Sequence, residues 1–382
     1  MSEMPVFGGS ALALAYDLEA RLSEWEAVRV KMARAVADGF TRDEWAYLVQ
    51  FVSRANLLAA FEQSIGPRGP GPIATTLRPR SPIAVWLPNN VSALGPLVLV
   101  LASMTGGVIR VKSGSQSANL CRVFVDYLRA NASGGLHDQM QHRVSVEQFD
   151  RHDPRNAAMA AAAEVRIAFG SDDAIQAIHA LPHPPDSVGI SFGDHQSEAW
   201  LEAGALDDNA IATMIKVFAI YGRAGCTSPR RAVLLDGTLA QCRTVAARLI
   251  TAWPSIVRQD VPMHYASLNV MHQQLNASHG WEVAMAPRSA ALVGVAAAEH
   301  PAMSGLLSLA IVPATIERAM ALLPANIQTI GYCVADPRAL VARLAQTAVK
   351  RVVPIAQMHH FGPVWDGVNF FRQMFAPVDV SR

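Results

Sequence analysis

The sequence predicts an α/β protein built on parallel sheets and divided into more than one domain. Three observations predict it. The chain has 382 residues, too many for one small core. Short, uniformly apolar runs alternate with segments of helical period, the pattern of strands buried on both faces and the helices that cover them. A Pro- and Gly-rich stretch, "SIGPRGPGPIATTLRPRSP", separates a helical lead-in from that alternation.

The elements follow in order. Residues 10–62 carry apolar residues at helical spacing, and "TRDEWAYLVQFVSRANLLAAFEQ" opens at Thr41, a natural N-cap. After the linker, "IAVWLP" reads as a buried strand, residues 94–104 as a helix and "GVIRVK" as a strand. "SQSANLCRVFVDYLRA" is a helix, "VRIAFG" a strand, "DDAIQAIHAL" a helix and "SVGISFG" a strand. The pattern resumes with a helix over 207–221, a loop around Cys226, the strand "RAVLLDG" and a helix over 239–252. Residues 255–300 show no clear period. Strands follow at 308–312 and 327–333, and a helix at 336–348. There is no internal repeat, and the one low-complexity tract is the short "NAAMAAAAE".

Composition excludes several classes. Hydrophobic residues make up 51% and charged residues 16%, which describes a folded soluble chain. A formal net charge of +1 gives no electrostatic reason to expect nucleic acid or an anionic membrane as partner. The N-terminus has no basic n-region and carries acids early, so no signal peptide is read. The apolar run "LGPLVLVLASMTGGVIRV" is broken by Pro96 and by Gly106-Gly107, and fits a buried helix and strand better than a membrane span. Four cysteines (Cys121, Cys226, Cys242 and Cys333) stand far apart with no CxxC spacing. That argues against a disulfide framework or a zinc site, and for a reducing cytoplasm.

Chemistry concentrates at "YGRAGCTSPRR", residues 221–231. A thiolate is the reactive form of cysteine, and nearby positive charge favours it. Arg223, Arg230 and Arg231 flank Cys226, Gly225 permits close approach to the sulfur and Pro229 stiffens the turn. Read alone, Cys226 is either a nucleophile or an inert buried thiol, and the residues leave both open. The other three cysteines lie in apolar helical or strand contexts. Twelve histidines are scattered without an HExxH or a Cys/His cluster, so no metal site is expected, and the adjacent pair His359-His360 diverges on any regular element. No GxSxG, GxGxxG or P-loop is present.

Four segments in order resemble the aldehyde dehydrogenase superfamily, closest to its acyl-CoA reductase branch, the LuxC-like fatty acyl reductases. They are "WLPNNVSALGPLVLVLASMTGGVIRVKSGSQS", "IAFGSDDAIQAI…DSVGISFGDHQS", "GRAGCTSPR" and "NIQTIGYCV…KRVVPIAQMHHFGPVWDG". The resemblance implies two Rossmann-like parallel-sheet domains, one for cofactor and one for catalysis, with a helical N-terminal segment. The boundaries are then 1–64 for that segment, 65–198 for the cofactor domain, 199–345 for the catalytic domain and 346–382 for a tail packing back on the body. It implies that Cys226 is the nucleophile and that Asn90, in "LPNN", supplies an oxyanion donor. It places Lys112 at the cofactor ribose or its phosphate. Ser115 stands where NAD-preferring relatives carry a glutamate, so NADPH is favoured, with NADH still open. Gly170 and Ser171 would meet the pyrophosphate at a helix start; Ser171 also reads as a plain N-cap. Ser191 stands in the general-base glutamate's place, where a serine cannot serve as base near neutral pH. Arg223 departs from the residues expected before the cysteine in this branch.

The expected activity is NAD(P)H-dependent reduction of an acyl thioester to an aldehyde through an acyl-cysteine. The donor is acyl-CoA, an acyl carrier protein or an acylated partner enzyme; homo-oligomerisation is left open. Rival readings are a cysteine acyltransferase or thioesterase, and a non-catalytic scaffold protein of the same fold.

Overall fold

The computed structural model describes residues 6–7, 12–13, 17–66, 73–91, 93–115, 118–219, 225–258, 263–305 and 307–381. The chain forms two units, one of residues 1–193 with 361–382 and one of residues 194–360.

The first unit is built on a five-stranded parallel sheet ordered Val144–Gln148, Ile109–Ser113, Ile83–Trp86, Val165–Phe169, Val188–Phe192. The first of these strands in sequence lies in the middle, and the chain winds outward from it in both directions. The direction reverses between Ile83–Trp86 and Val165–Phe169. In such a sheet the ligand crevice lies at the carboxyl ends of the strands beside that switch point.

Side chains alternate between two cores. Ile83, Val85, Ile109, Val111, Val165 and Ile167 enter the larger one. Ala84 and Trp86 enter a smaller one with Phe149, Met159, Ala160 and Ala163. The helix Leu94–Ser103 is buried from Gly95 to Ser103, which is why its sequence is apolar all round. Three N-terminal helices, Leu18–Met32, Arg42–Phe51 and Arg54–Ile65, lend Leu22, Trp25, Trp45 and Leu57 to the larger core. Thr41 caps the second of them in a reciprocal capping box with Glu44. The Trp25 indole N–H donates to Ser103 Oγ at 3.2 Å. The end of the chain returns to this core through Phe361, Trp365, Phe370, Phe371 and Phe375, and the strand Phe375–Ser381 pairs antiparallel with Ile73–Pro79.

The second unit holds a seven-stranded sheet ordered Glu282–Met285, Leu292–Val295, Ser308–Ala314, Pro229–Leu235, Gln196–Leu201, Ile327–Cys333, Arg351–Pro354. Every pairing is parallel except the edge pair of Glu282–Met285 with Leu292–Val295. The helices Asp208–Ala219 and Leu239–Ile256 cover one face through Ile211, Met214, Phe218, Leu249 and Trp253. Ile316–Ala321 and Pro337–Leu344 cover the other through Ala319, Leu340 and Leu344. Residues 255–300, without a readable period in the sequence, contain the helix Met263–Ser278 and the two edge strands.

Glu198, in the interior strand Gln196–Leu201, is 2% exposed and meets Arg231 of the central strand Pro229–Leu235 at 2.6 Å. The Trp200 indole N–H donates to the same carboxylate at 2.9 Å. Burial pushes the Glu198 carboxyl up, and Arg231 and Trp200 pull it back. Removing one partner of such a buried pair costs about 3–5 kcal/mol.

Candidate active site

Cys226 sits half-buried in a turn immediately before the strand Pro229–Leu235. Pro occupies the first strand position, where no ladder N–H is required of it. The pairing with Gln196–Leu201 shifts register between Pro229 and Arg231, a bulge of the kind that re-aims side chains beside functional loops. Ser197 Oγ donates to the Cys226 carbonyl at 2.6 Å. The Gly225 N–H donates to Ser228 Oγ at 3.1 Å, and the Ser228 N–H returns to the Gly225 carbonyl at 3.1 Å. Thr227 Oγ1 lies 2.6 Å from His359 Nδ1, and His359 Nε2 bonds the Val217 carbonyl. The loop is therefore held on both sides of the cysteine. Arg223 lies outside the described residues. Arg231 is committed to Glu198 and to the Leu322 carbonyl, so its charge is partly neutralised. Arg230 is half-buried, and burial lowers its pKa against the pull of Asp194.

The other cysteines stand on regular elements: Cys121 and Cys242 in helices, Cys333 in a strand. Burial pushes the Cys121 thiol up to about 12 and the Cys242 thiol up to about 11. Burial also raises Cys333, with Asp207 and Glu202 adding to it. None of the four cysteines is in a disulfide.

The residues nominated in the first unit gather at the carboxyl ends of its central strands. Asn90 is exposed in the bend after Ile83–Trp86. Lys112 and Ser115 lie at and just past the end of Ile109–Ser113. Gly170 and Ser171 follow Val165–Phe169. Lys112, readable in the sequence as a surface lysine, is 9% exposed, with Nζ 6.0 Å from the centre of the Phe149 ring. Burial lowers its pKa, and Asp150 works in the opposite direction. Ser115 is exposed. Gly114, which sequence reasoning passed over, joins two of these loops: a Cβ there would lie 2.3 Å from Asn89 Oδ1 and 2.6 Å from the Pro88 carbonyl oxygen. At Gly170 a Cβ would crowd the Ala174 Cβ at 3.3 Å. Ser171 caps the helix Asp172–His179 by accepting from the Ala174 N–H. Asp172 and Asp173 fill the first turn of that helix, so its positive end already meets carboxylates.

Ser191 has a partner invisible in the sequence. His179 Nε2, at the end of the same helix, lies 2.5 Å from Ser191 Oγ. The intervening Gly189 leaves room for it, since a Cβ there would meet His179 Cε1 at 3.1 Å. Burial lowers the His179 pKa, helped by Arg166 and His183. Signals for the missed residues His179, Thr227, Ser197 and His359 were absent because each acts on a group distant in the chain.

Among the described residues, no group of three His, Cys, Asp or Glu side chains is arranged to hold a metal, and no helix is long and apolar enough to cross a membrane. A shallow groove of about 550 Å³ runs between the helix Leu239–Ile256 and the edge strands, lined by Ala246, Ile250, Val283 and Val295 among others. None of the nominated residues lines it, so the chemistry is argued from the cysteine loop and the strand ends instead.

A model of the family described as acyl-CoA reductase (LuxC) matches residues 48–376. No curated protein sequence matches the chain. Solved structures do. Bifunctional proline utilization A (PutA) superposes with a TM-score of 0.70 at 14% identity, over 96% of this chain and 42% of that one. A variant of 1-pyrroline-5-carboxylate dehydrogenase from Thermus thermophilus gives 0.68 at 12%, over 96% and 82%. An oxidoreductase from Marinobacter aquaeolei gives 0.73 at 10%, over 96% and 86%. The chain thus spans less than half of the first of these proteins and most of the other two. At such identities the likeness establishes the fold, which is that of the aldehyde dehydrogenases.

Proposed function

The chain belongs to the acyl-CoA reductase (LuxC) family, and on that premise we propose that it reduces an acyl thioester to an aldehyde through an acyl-enzyme on Cys226. The observation that carries the reading is the cysteine loop. Of four cysteines, Cys226 alone stands in a turn, while the other three lie on helices or a strand with thiols raised by burial. The Cys226 sulfur attacks the thioester carbonyl, the carbon–sulfur bond to the leaving thiol breaks, and CoA or another carrier thiol departs with the acyl group left on Cys226. The resemblance gives Asn90 the role of oxyanion donor, a kind of group whose loss costs about 2.7–4 kcal/mol. A bound reduced nicotinamide would supply the hydride, leaving a thiohemiacetal on Cys226. Collapse of that adduct releases aldehyde and returns the thiolate.

The residues at the strand ends fit a dinucleotide. Lys112 is a buried ammonium, and an anion beside it would favour its charged form. Gly114 keeps the backbone bare where a Cβ would collide with Asn89 and Pro88, and at Gly170 a Cβ would crowd Ala174. Gly170 and Ser171 would meet the pyrophosphate of a bound dinucleotide, and with Asp172 and Asp173 in the same helix turn its charge would be left to Lys112.

Two measurements test the reading. Incubated with a panel of acyl-CoAs, the protein should gain one acyl group, located by peptide mass spectrometry at Cys226. No adduct from any acyl-CoA or from acyl carrier protein would sink it. On cofactor, kcat/KM for NADPH should equal or exceed that for NADH, because the exposed Ser115 offers no carboxylate against a 2′-phosphate. Ser115→Glu should lower the NADPH-to-NADH ratio about tenfold or more, since like charges a few ångströms apart repel by about 1–4 kcal/mol near a protein surface. A wild-type preference for NADH, unmoved by that substitution, would mean that another acid excludes the phosphate.

A further inference from the structure

We propose that His359 is a positioning residue for Cys226: a neutral imidazole that ties the cysteine loop to the last turn of the helix Asp208–Ala219. The proposal rests on the reading of Cys226 as nucleophile.

The helix end at Val217 and the cysteine loop at Thr227 meet at this ring, which lies 132 residues beyond Thr227, all within the second unit. Val217 is one of the last four residues of its helix, whose carbonyls have no partner inside the helix. His359 Nε2–H donates to it. A neutral imidazole with one nitrogen donating must accept at the other, so the Thr227 hydroxyl donates to Nδ1 at 2.6 Å. The ring stays neutral because burial brings its pKa down to about 4; the Val217 bond opposes that shift, and Arg351 and His360 reinforce it. The network thus runs in one direction, from the Thr227 O–H through His359 to the helix end.

The ring itself is fixed. Arg351 Nη1 donates to the Met358 carbonyl at 2.7 Å, and Nη2 to the carbonyls of Gln357 at 2.6 Å and His360 at 2.9 Å. The backbone on both sides of His359 is therefore clamped by one guanidinium. Thr227 is 4% exposed and directly follows Cys226. With Ser197 holding the Cys226 carbonyl at 2.6 Å, the peptide leaving the cysteine is held from one side and the next side chain from the other. That arrangement sets the direction in which Sγ projects. Misplacing a reacting group by about 1 Å can cost about 10²-fold in rate.

Thr227→Val removes the hydroxyl and keeps the shape; His359→Gln keeps one donor and one acceptor; His359→Ala keeps neither. The readouts are single-turnover acylation by acyl-CoA, KM for acyl-CoA, and alkylation by iodoacetamide, a small reagent that reports thiol reactivity without needing a set approach. Thr227→Val should slow acylation about 10- to 10²-fold. KM and alkylation should stay within about threefold, and His359→Gln should recover most of the acylation lost in His359→Ala. If His359→Ala does not fold, Thr227→Val decides alone. Acylation by Thr227→Val within about twofold of wild type overturns the proposal. So does a fall in alkylation that matches the fall in acylation, since the network would then act on ionisation and not on position. A Cys226→Ala protein that still acylates removes the underlying reading; a normal Thr227→Val in a chain whose acylation still needs Cys226 removes this proposal only.

Discussion

The Cys226→Ala protein is expected to take up no acyl group from acyl-CoA and to lose thioester reduction by about 10⁴-fold or more, the scale of removing a covalent nucleophile. The same substitution at the other cysteines should leave acylation in place. A thiol raised to about 12, as at Cys121, is thiolate in only about one molecule in 10⁴ at pH 8. Cys242 is fully buried in the core of the second unit, and the Cys333 S–H donates to the Ala205 carbonyl at 3.3 Å. Their replacement removes packing, so thermal melts should accompany the kinetics: a lowered Tm with normal acylation is the expected result. Reductase activity at the wild-type level in Cys226→Ala would end the proposed mechanism. Acylation lost in Cys333→Ala but kept in Cys226→Ala would move the nucleophile to the opposite, carboxyl end of the sheet's strands.

The parallel strands were legible where they are buried on both faces. "IAVWLP" and "VRIAFG" read as strands because the sheet is covered on each side, so neither face needs polar residues. Val144–Gln148 escaped notice because it is an edge strand with alternating exposure. Gln196–Leu201 escaped for the opposite reason. It lies in the interior of its sheet, yet Ser197 and Glu198 are polar because one holds the Cys226 carbonyl and the other pairs with Arg231. The helix Arg155–Ala162 was hidden inside an alanine tract, and Met263–Ser278 by apolar residues on its exposed side, Met263, Met271 and Leu275. Of the residues proposed to act, Cys226, Lys112 and Gly170 were nominated from motif and position. His359 was not, because its partner Thr227 lies 132 residues away and the pair His359-His360 carries no spacing that points to it.

Loaded with acyl-CoA while nicotinamide is withheld, the enzyme is expected to keep its acyl group. Hydrolysis needs a base that takes a proton from water, and the resemblance puts Ser191 in that base's place. General-base assistance is worth typically 10²–10⁴-fold, so its absence should slow release of free acid by about that factor relative to reduction. The structure sharpens this expectation by adding His179. Its pKa is lowered below 6.5, so the ring is neutral at pH 7 and could in principle accept a proton. Its Nε2, however, faces the Ser191 hydroxyl at 2.5 Å. A neutral ring has one basic nitrogen; in the tautomer where that nitrogen is Nε2, the Ser191 O–H occupies it, and activating water there requires breaking that bond first. The two cases separate by pH. Uncatalysed hydrolysis of the adduct should climb steadily above neutrality with hydroxide. Release driven by His179 should rise only up to its pKa and be level by pH 7. Ser191→Glu should hasten hydrolysis without hastening acylation, by up to the same 10²–10⁴-fold. Rapid acid release by the wild type, level above neutral pH and abolished in His179→Ala, would show that the Ser191–His179 pair acts as the base, and the protein would then be a thioesterase that can also reduce.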